Sequence, residues 1–347
     1  MKGNEALAEA AIQAGLDCFF GYPITPQSEV PEYIARELPK AGGVFVQAES
    51  EIAAINMVYG AAGSGARVMT SSSSPGISLK QEGISYLAGA ELPCVIVNMM
   101  RGGPGLGSIQ PSQTDYFQAT RGGGNGDYRL LVYAPGDVQE LVDFVMDGFD
   151  KADYYRNPVM ILGDGLIGQM MEPVEFRKRE TKRIDKPWAT TGTNNERKPN
   201  VINSLYMNPE NLETHNIHLQ AKYQEMKDKE VLVESTDIDD ADIVLCAFGT
   251  TARICKTAIQ ELKQEGYNVG LIRPQTVWPY PYDEFKKINK DCKAVLTVEM
   301  NSGQMLDDVK IAVEGRFPVH FYGRMGGMIP NPTDIADKVK EILGGQS

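Results

Sequence analysis

From Asn4 to Leu162 the chain alternates short apolar runs with stretches whose apolar residues recur at helical spacing. The runs predict strands at Cys18–Tyr22, Val44–Ala48, Arg67–Ser72, Cys94–Met100, Arg129–Ala134 and Val159–Leu162. Between them the spacing predicts helices over Asn4–Ala14, Ser28–Leu38, Glu51–Ala62, Ile77–Ala90 and Asp137–Asp153. Strands joined through helices run parallel, so this order predicts an α/β fold with one parallel sheet covered on both faces. Open sheets of that kind bind ligands outside the carboxyl ends of their strands. Functional residues are therefore to be sought where the predicted strands end.

The chain has 347 residues, enough for two domains with a core apiece. Alternation fails from Phe176 to Asp237, where charges and prolines dominate and only Leu212–Lys229 has helical spacing. It resumes with a strand at Ile243–Ala247, a loop at Gly249–Thr251 and a helix over Ala252–Gln264. Strands at Val269–Ile272 and Val295–Glu299 and a helix over Pro332–Leu343 complete the pattern. The reading is a first domain over 1–175, a crossing connection over 176–237 and a smaller α/β domain over 238–347.

Four strand ends carry residues capable of chemistry. Val44 to Gly63, VFVQAESEIAAINMVYGAAG, brings Glu49 and Glu51 to the first turn of a helix. Acids there favour the positive end of the helix dipole, and for Glu49 a solvated end group is the better reading. Glu51 instead follows a buried-looking strand and precedes Ala53, Ala54, Ala61 and Ala62, small residues that let another surface approach. A carboxylate held there is placed to work on a cofactor. In Tyr22-Pro23-Ile24-Thr25-Pro26 two prolines fix the backbone around Thr25, which on proline chemistry alone makes a stiff turn. Thr70–Gly76, TSSSSPG, is either a flexible loop or a set of hydroxyls and amides around an anion. Arg101 opens the glycine-rich RGGPGLG and is either a solvated charge or the cation that fixes a substrate carboxylate or phosphate. The glycines after it form no dinucleotide fingerprint and no Walker lysine is present. Gly122–Gly126 reads as a mobile loop.

Composition narrows the function. The net charge of -12 and pI of about 4.9 offer no basic field for nucleic acid or an anionic membrane. No run approaches the roughly 18 apolar residues of a membrane span. Met1–Ala11 carries glutamates where a signal peptide is apolar, which points to the cytoplasm. The five cysteines, Cys18, Cys94, Cys246, Cys255 and Cys292, include no C-x-x-C pair, which excludes a bound iron–sulfur cluster of the usual cysteine-run type. The three histidines, His215, His218 and His320, lie outside the region with the motifs, so neither a histidine triad nor a zinc site is expected there.

Beyond these general arguments, the E-x-A-A arrangement of Glu51 to Ala54 resembles the pyrimidine-binding domain of thiamine diphosphate enzymes. GYPITPQSEVPEYI, QAESEIAAI, PCVIVNMMRGGP and, far downstream, GLIRPQTVWPYP and VEMNSGQM together resemble the α subunit of 2-oxoacid:ferredoxin oxidoreductases. The serine run and SLKQEGISYLAGAELP are most similar to its branched-chain, 2-oxoisovalerate class. The resemblance spans both domains, with the motifs in order. It implies a pyrimidine-binding domain followed by a transketolase-C-terminal-like α/β domain. It further implies oxidative decarboxylation of a 2-oxoacid on thiamine diphosphate, electron transfer to iron–sulfur clusters and ferredoxin, and acyl transfer to coenzyme A. The cofactor would be shared with a β subunit that holds its diphosphate and magnesium. A γ subunit and a ferredoxin-like iron–sulfur subunit would complete the complex.

By the same resemblance, Glu51 matches the glutamate on the aminopyrimidine, Thr25 a hydroxyl near the reacting carbon, and Arg101 the partner of the substrate carboxylate. No residue of this chain is assigned to a metal. The family's 2-oxoglutarate enzymes tend to carry a serine or threonine soon after the position of Pro104, where this chain has Gly105-Leu106-Gly107. Pro104 and Leu106 would give an apolar pocket. Three other readings stand beside this one: a 2-oxoglutarate enzyme, a scaffold subunit without catalytic role, and a self-sufficient thiamine enzyme. The last would use Gly163-Asp164-Gly165 with Asn194-Asn195, although Trp188–Thr193 is polar where that motif needs an apolar strand.

Overall fold

The computed structural model of the protein describes residues 1–177 and 183–344. Residues 178–182 of the expected connection and 345–347 of the expected second domain lie outside the described residues. The first part of the chain runs α1 (Gly3–Gln13), β1 (Cys18–Gly21), α2 (Glu29–Glu37), β2 (Val44–Gln47), α3 (Glu51–Gly63), β3 (Val68–Ser72) and α4 (Ser74–Gly89). It continues through β4 (Cys94–Met100), α5 (Tyr116–Arg121), β5 (Leu131–Tyr133), α6 (Val138–Tyr155), β6 (Pro158–Asp164) and α7 (Gly165–Gln169). There follow α8 (Pro209–Lys229), β7 (Val233–Thr236), β8 (Ile243–Cys246), α9 (Gly249–Gln264), β9 (Val269–Pro274) and β10 (Thr276–Trp278). The last elements are β11 (Ala294–Glu299), α10 (Met305–Val313), β12 (Val319–Gly323) and α11 (Pro332–Gly344).

Two sheets result. The first has the order β10-β5-β6-β4-β3-β1-β2 and is parallel except for β10. The second has the order β12-β11-β8-β9-β7 and is parallel except for its edge strand β7. Every residue of β3, β4 and β6 is buried, which is why β4 and β6 read as near-continuous apolar runs, while β3 ends in the buried hydroxyls of Thr70, Ser71 and Ser72. Their side chains still alternate between two cores. Val95, Val97, Val159 and Ile161 pack on one face of the sheet, and Ile96, Met160 and Leu162 on the other.

Several boundaries differ from expectation for local reasons. Ser74-Pro75-Gly76 form the first turn of α4 rather than a loop, and Pro75 fits there because first-turn N–H groups have no helical acceptor. Gly249-Thr250-Thr251 likewise begin α9. Their hydroxyls are held from the first domain, Thr250 by Asp164 at 2.5 Å and Thr251 by Gln113 at 2.8 Å. Gly122–Gly126, read as a mobile loop, is fastened: the N–H groups of Gly123 and Gly124 donate to the Tyr128 hydroxyl. The connection ends as a strand, since Val233–Thr236 pair with Leu271–Pro274 of β9.

The two domains share backbone as well as side chains. After β9 the chain crosses back, and β10 pairs with β5 of the first sheet. Gln113, wholly buried, lies at the centre of the seam. Its amide donates to the Phe248 carbonyl at 2.8 Å and accepts from Thr251 and from the Met300 N–H at 3.0 Å. Its own backbone N–H and carbonyl pair with Met300 and Asn301. Gln113→Leu strands three buried polar groups, each worth about 1–3 kcal/mol. Urea unfolding should show a loss of at least about 3 kcal/mol. A loss under about 0.5 kcal/mol, typical of a surface change, would show that the seam does not depend on this amide.

Candidate active site

In the first sheet β4, β3, β1 and β2 are consecutive neighbours, so their carboxyl ends place four loops side by side. Thr25 follows β1, Glu51 follows β2, Ser72–Ser74 close β3 and Arg101 follows β4. Ser71 ties two of these loops together by donating to the Gln27 side chain at 2.5 Å. All three residues singled out from sequence thus belong to one edge.

Glu51 is the first residue of α3. Ser50 caps that helix by accepting from the Ala53 N–H at 3.1 Å, so the chain turns sharply out of β2 and aims Glu51 inward. Glu51 is only 7% exposed, yet among the described residues no hydrogen bond reaches its carboxylate. Glu49, by contrast, precedes the helix and is exposed. Gly76 of α4 packs directly on the carboxylate: a Cβ there would lie 2.7 Å from Glu51 Oε1 and would also strike the Ser72 hydroxyl. The buried hydroxyls of Ser72 and Ser73 have no partner either. A buried acid beside unanswered hydroxyls, with backbone pressed close for want of a Cβ, is a cradle for a polar planar ring. These residues fit the pyrimidine end of thiamine diphosphate.

Arg101 is held at both ends of its guanidinium by carbonyls, Thr25 O at 3.0 Å and Leu106 O at 3.1 Å, while its buried Nε has no partner. This links the Thr25 turn to the glycine-rich loop. That loop is closed by Ser108 N to Gly102 O and by a bridge between Arg101 and Pro111. Leu106 is 84% exposed, so its side chain lines no pocket within this chain, contrary to expectation; its carbonyl accepts from Arg101. Behind Arg101, Ser74 accepts from the Arg101 N–H and donates to Asp115 at 2.6 Å, and Asn98 donates to the same carboxylate. Burial pushes the Asp115 carboxyl up, against the pull of Ser74 and Asn98.

Lys80, one turn along α4 from Gly76, had no assigned role in the sequence. It is wholly buried, donating to Thr70 Oγ1 at 2.7 Å and Ser71 O at 3.1 Å. Burial pushes its amine down to about 7, with the Glu51 charge opposing that shift. The available signal was a lysine on the helix face that also carries Gly76, Ile77 and Ile84.

Gly163-Asp164-Gly165 and Asn194-Asn195 are not brought together. Asp164 ends β6 at the carboxyl edge, where its oxygens accept from Leu166 N, Ile167 N and Thr250. Burial pushes its carboxyl up, and those three donors oppose the shift. The asparagines follow Thr190, whose N–H donates to Gly63 O at the opposite, amino-terminal edge. A cavity of about 950 Å³ lined by Arg121, Tyr223, Trp278 and Tyr282 lies at the domain seam and touches none of Thr25, Glu51 or Arg101.

The profile described as "Pyruvate flavodoxin/ferredoxin oxidoreductase, thiamine diP-bdg" matches residues 9–236. The chain belongs to this family. A second profile, "Pyruvate:ferredoxin oxidoreductase core domain II", matches residues 241–335. Ketoisovalerate oxidoreductase subunit VorB of Methanothermobacter thermautotrophicus is 49% identical over 100% of this chain and 98% of the relative. 2-Oxoglutarate synthase subunit KorA of Methanothermobacter marburgensis is 37% identical over 98% of this chain and 97% of the relative. Among solved structures, 2-oxoglutarate:ferredoxin oxidoreductase from Magnetococcus marinus, with 2-oxoglutarate, coenzyme A and succinyl-CoA bound, superposes with a TM-score of 0.86 at 31% identity. That match covers 99% of this chain, which spans 65% of the length of the solved one. The family is thiamine diphosphate-binding, and no helix among the described residues is long and apolar enough to cross a membrane.

Lys80 makes stability depend on pH. Between about 7 and 10.5 the folded chain holds the amine neutral while an unfolded chain keeps it protonated. The unfolded state then binds more protons, so stability rises with pH across that window. Relative to Lys80→Met, the native chain should gain about 1.4 kcal/mol per pH unit from pH 7 upward, read by urea unfolding. A difference that stays flat from pH 7 to 10 would mean that the amine remains charged.

Proposed function

We propose that this chain is the α subunit of a multi-subunit 2-oxoacid:ferredoxin oxidoreductase that takes branched-chain 2-oxoacids, 2-oxoisovalerate foremost, in the cytoplasm. The complex decarboxylates the substrate oxidatively, passes electrons to ferredoxin and transfers the acyl group to coenzyme A. The observation that carries the site reading is the unpaired, buried Glu51 carboxylate beside Gly76, on the edge that also presents Thr25 and Arg101. Bound there, thiamine diphosphate supplies a carbon acid that becomes nucleophilic on deprotonation. Glu51 would hold the aminopyrimidine edge and exchange its proton. The Thr25 hydroxyl would serve near the reacting carbon. Arg101, aligned by two carbonyls and with a free Nε–H, meets the carboxylate common to all 2-oxoacids. The β subunit holds the diphosphate and magnesium, and iron–sulfur clusters sit on partner subunits, γ and a ferredoxin-like one among them.

Glu51→Gln should leave assembly intact and slow turnover by about 10² to 10⁴, since an amide cannot exchange the proton. Glu49→Gln, at an exposed position, should be far milder. Equal effects in steady-state assays would mean that the wrong carboxylate is assigned.

Substrate choice follows from what the Arg101 loop lacks. A distal carboxylate buried without a partner is disfavoured by several kcal/mol, and residues 102–107 supply no charge to meet it. Apolar selection is worth only about 1–3 kcal/mol per methylene. The reconstituted complex should therefore reject 2-oxoglutarate sharply and discriminate loosely among branched chains, and Arg101→Ala should raise KM for every 2-oxoacid alike. A higher kcat/KM for 2-oxoglutarate than for 2-oxoisovalerate would overturn the substrate assignment.

A further inference from the structure

Asp115 is the residue before α5, where an aspartate ordinarily caps the helix with its own side chain. Here that side chain makes no cap hydrogen bond. Its carboxylate is buried and turns to the ends of β3 and β4, where Oδ2 accepts from Ser74 Oγ at 2.6 Å and from Asn98 Nδ2 at 2.9 Å. Asn98 Oδ1 in turn accepts from the Ser74 N–H at 3.2 Å, so three buried residues close a ring. The ring bears on Arg101 through one hydroxyl. Ser74 Oγ has a single proton, and the short bond to Asp115 takes it, which leaves lone pairs for the Arg101 N–H at 3.0 Å. The Arg101 carbonyl accepts from Thr114 Oγ1 at 3.4 Å, the residue next to Asp115. Both polar groups of the Arg101 backbone therefore depend on the 114–115 segment, while two carbonyls hold the guanidinium. That segment is anchored from the second domain. Asn301 donates to the Gln113 carbonyl at 2.7 Å, and Gln304 donates to the Thr114 carbonyl at 2.7 Å and accepts from the Phe117 N–H at 2.8 Å.

We propose that Asp115 is a positioning residue for substrate binding: through Ser74 it fixes the backbone from which Arg101 reaches the 2-oxoacid carboxylate, and it links that arginine to the second domain. This rests on the reading that Arg101 meets the substrate carboxylate. Asp115 acts through Ser74 and Arg101 alone. Without its acceptor the Ser74 proton turns to the Arg101 carbonyl, 3.3 Å away, and the hydroxyl loses the orientation that receives the Arg101 N–H. The guanidinium is then no longer held where a carboxylate binds. The loss falls on substrate affinity rather than on cofactor chemistry, since Glu51 stands on a different loop.

The test is a double-mutant cycle in the assembled complex, read as kcat and KM for 2-oxoisovalerate. Asp115→Leu, similar in shape and unable to accept, should raise KM by about 10- to 100-fold, the scale expected when a binding group is misplaced by about 1 Å. Turnover at saturating substrate and the affinity for thiamine diphosphate should both hold. Asp115→Asn, which keeps an oxygen for both donors, should recover most of the loss in KM. In an Arg101→Ala background, Asp115→Leu should add less than about twofold to KM, because no guanidinium remains for it to position. A merely structural aspartate would raise KM by the same factor with or without the arginine, or lower turnover with KM unmoved. Either result, with Arg101→Ala itself raising KM, would overturn this inference and leave the assignment of Arg101 standing. If Asp115→Leu fails to assemble, Ser74→Ala breaks the same path and carries the same cycle. An Arg101→Ala complex of native KM would instead remove the reading of Arg101, and the role of Asp115 with it.

Discussion

Glu51 is placed by packing rather than by hydrogen bonds. The Ser50 cap turns the chain out of β2, α3 begins on the acid itself, and the bare Cα of Gly76 lets α4 close over it. A buried carboxylate with unmet lone pairs is costly, and folds keep such groups where a ligand or a charge completes them. The rest of the site is arranged around that unfinished group. Ser71 locks the Thr25 turn, and Ser74, backed by Asp115 and Asn98, fixes the start of the Arg101 loop.

That edge is stiffened by the second domain. Gln113 and Thr114 follow directly on the Arg101 loop, and both are engaged by the segment after β11: Met300 and Asn301 on Gln113, Gln304 on the Thr114 carbonyl. A Cβ at Gly102 would meet the backbone of Gly326, and one at Gly327 would run into Gln110, so the loop after β4 and the turn after β12 are moulded to each other. The return of β10 to the first sheet makes the two domains one mechanical unit. A subunit that shares its cofactor with a partner gains from such rigidity, because each half of a divided site must hold its geometry before the other arrives.

Much of this was legible in the sequence. The period of alternation predicts the six parallel strands, because their apolar runs stand apart from the 3.6-residue period of the helices between them, although β2, which reads as buried, is an edge strand with Val44 exposed. Thr25, Glu51 and Arg101 stood out because they close those runs, and family resemblance supplied their roles. Elements set by long-range partners were not legible. Strand β10 is three residues whose pairing depends on β5, far earlier in the chain, and α9 starts at Gly249 because Asp164 and Gln113 hold its threonine hydroxyls. Lys80 was hidden for the same reason: a helical lysine reads as solvated until the packing of α3 on α4 is known. Leu106 erred the other way, an apolar residue whose side chain is exposed while its carbonyl accepts from Arg101.

The central claim is that Glu51 moves a proton on a cofactor the chain shares. Exchange of the acidic carbon-bound proton of thiamine diphosphate for deuterium, quenched and read by NMR in the assembled complex without substrate, tests this without the later steps. The account predicts exchange about 10² to 10⁴ slower in Glu51→Gln than in the native complex, with cofactor binding retained. Equal exchange rates, with cofactor bound in both, would contradict it.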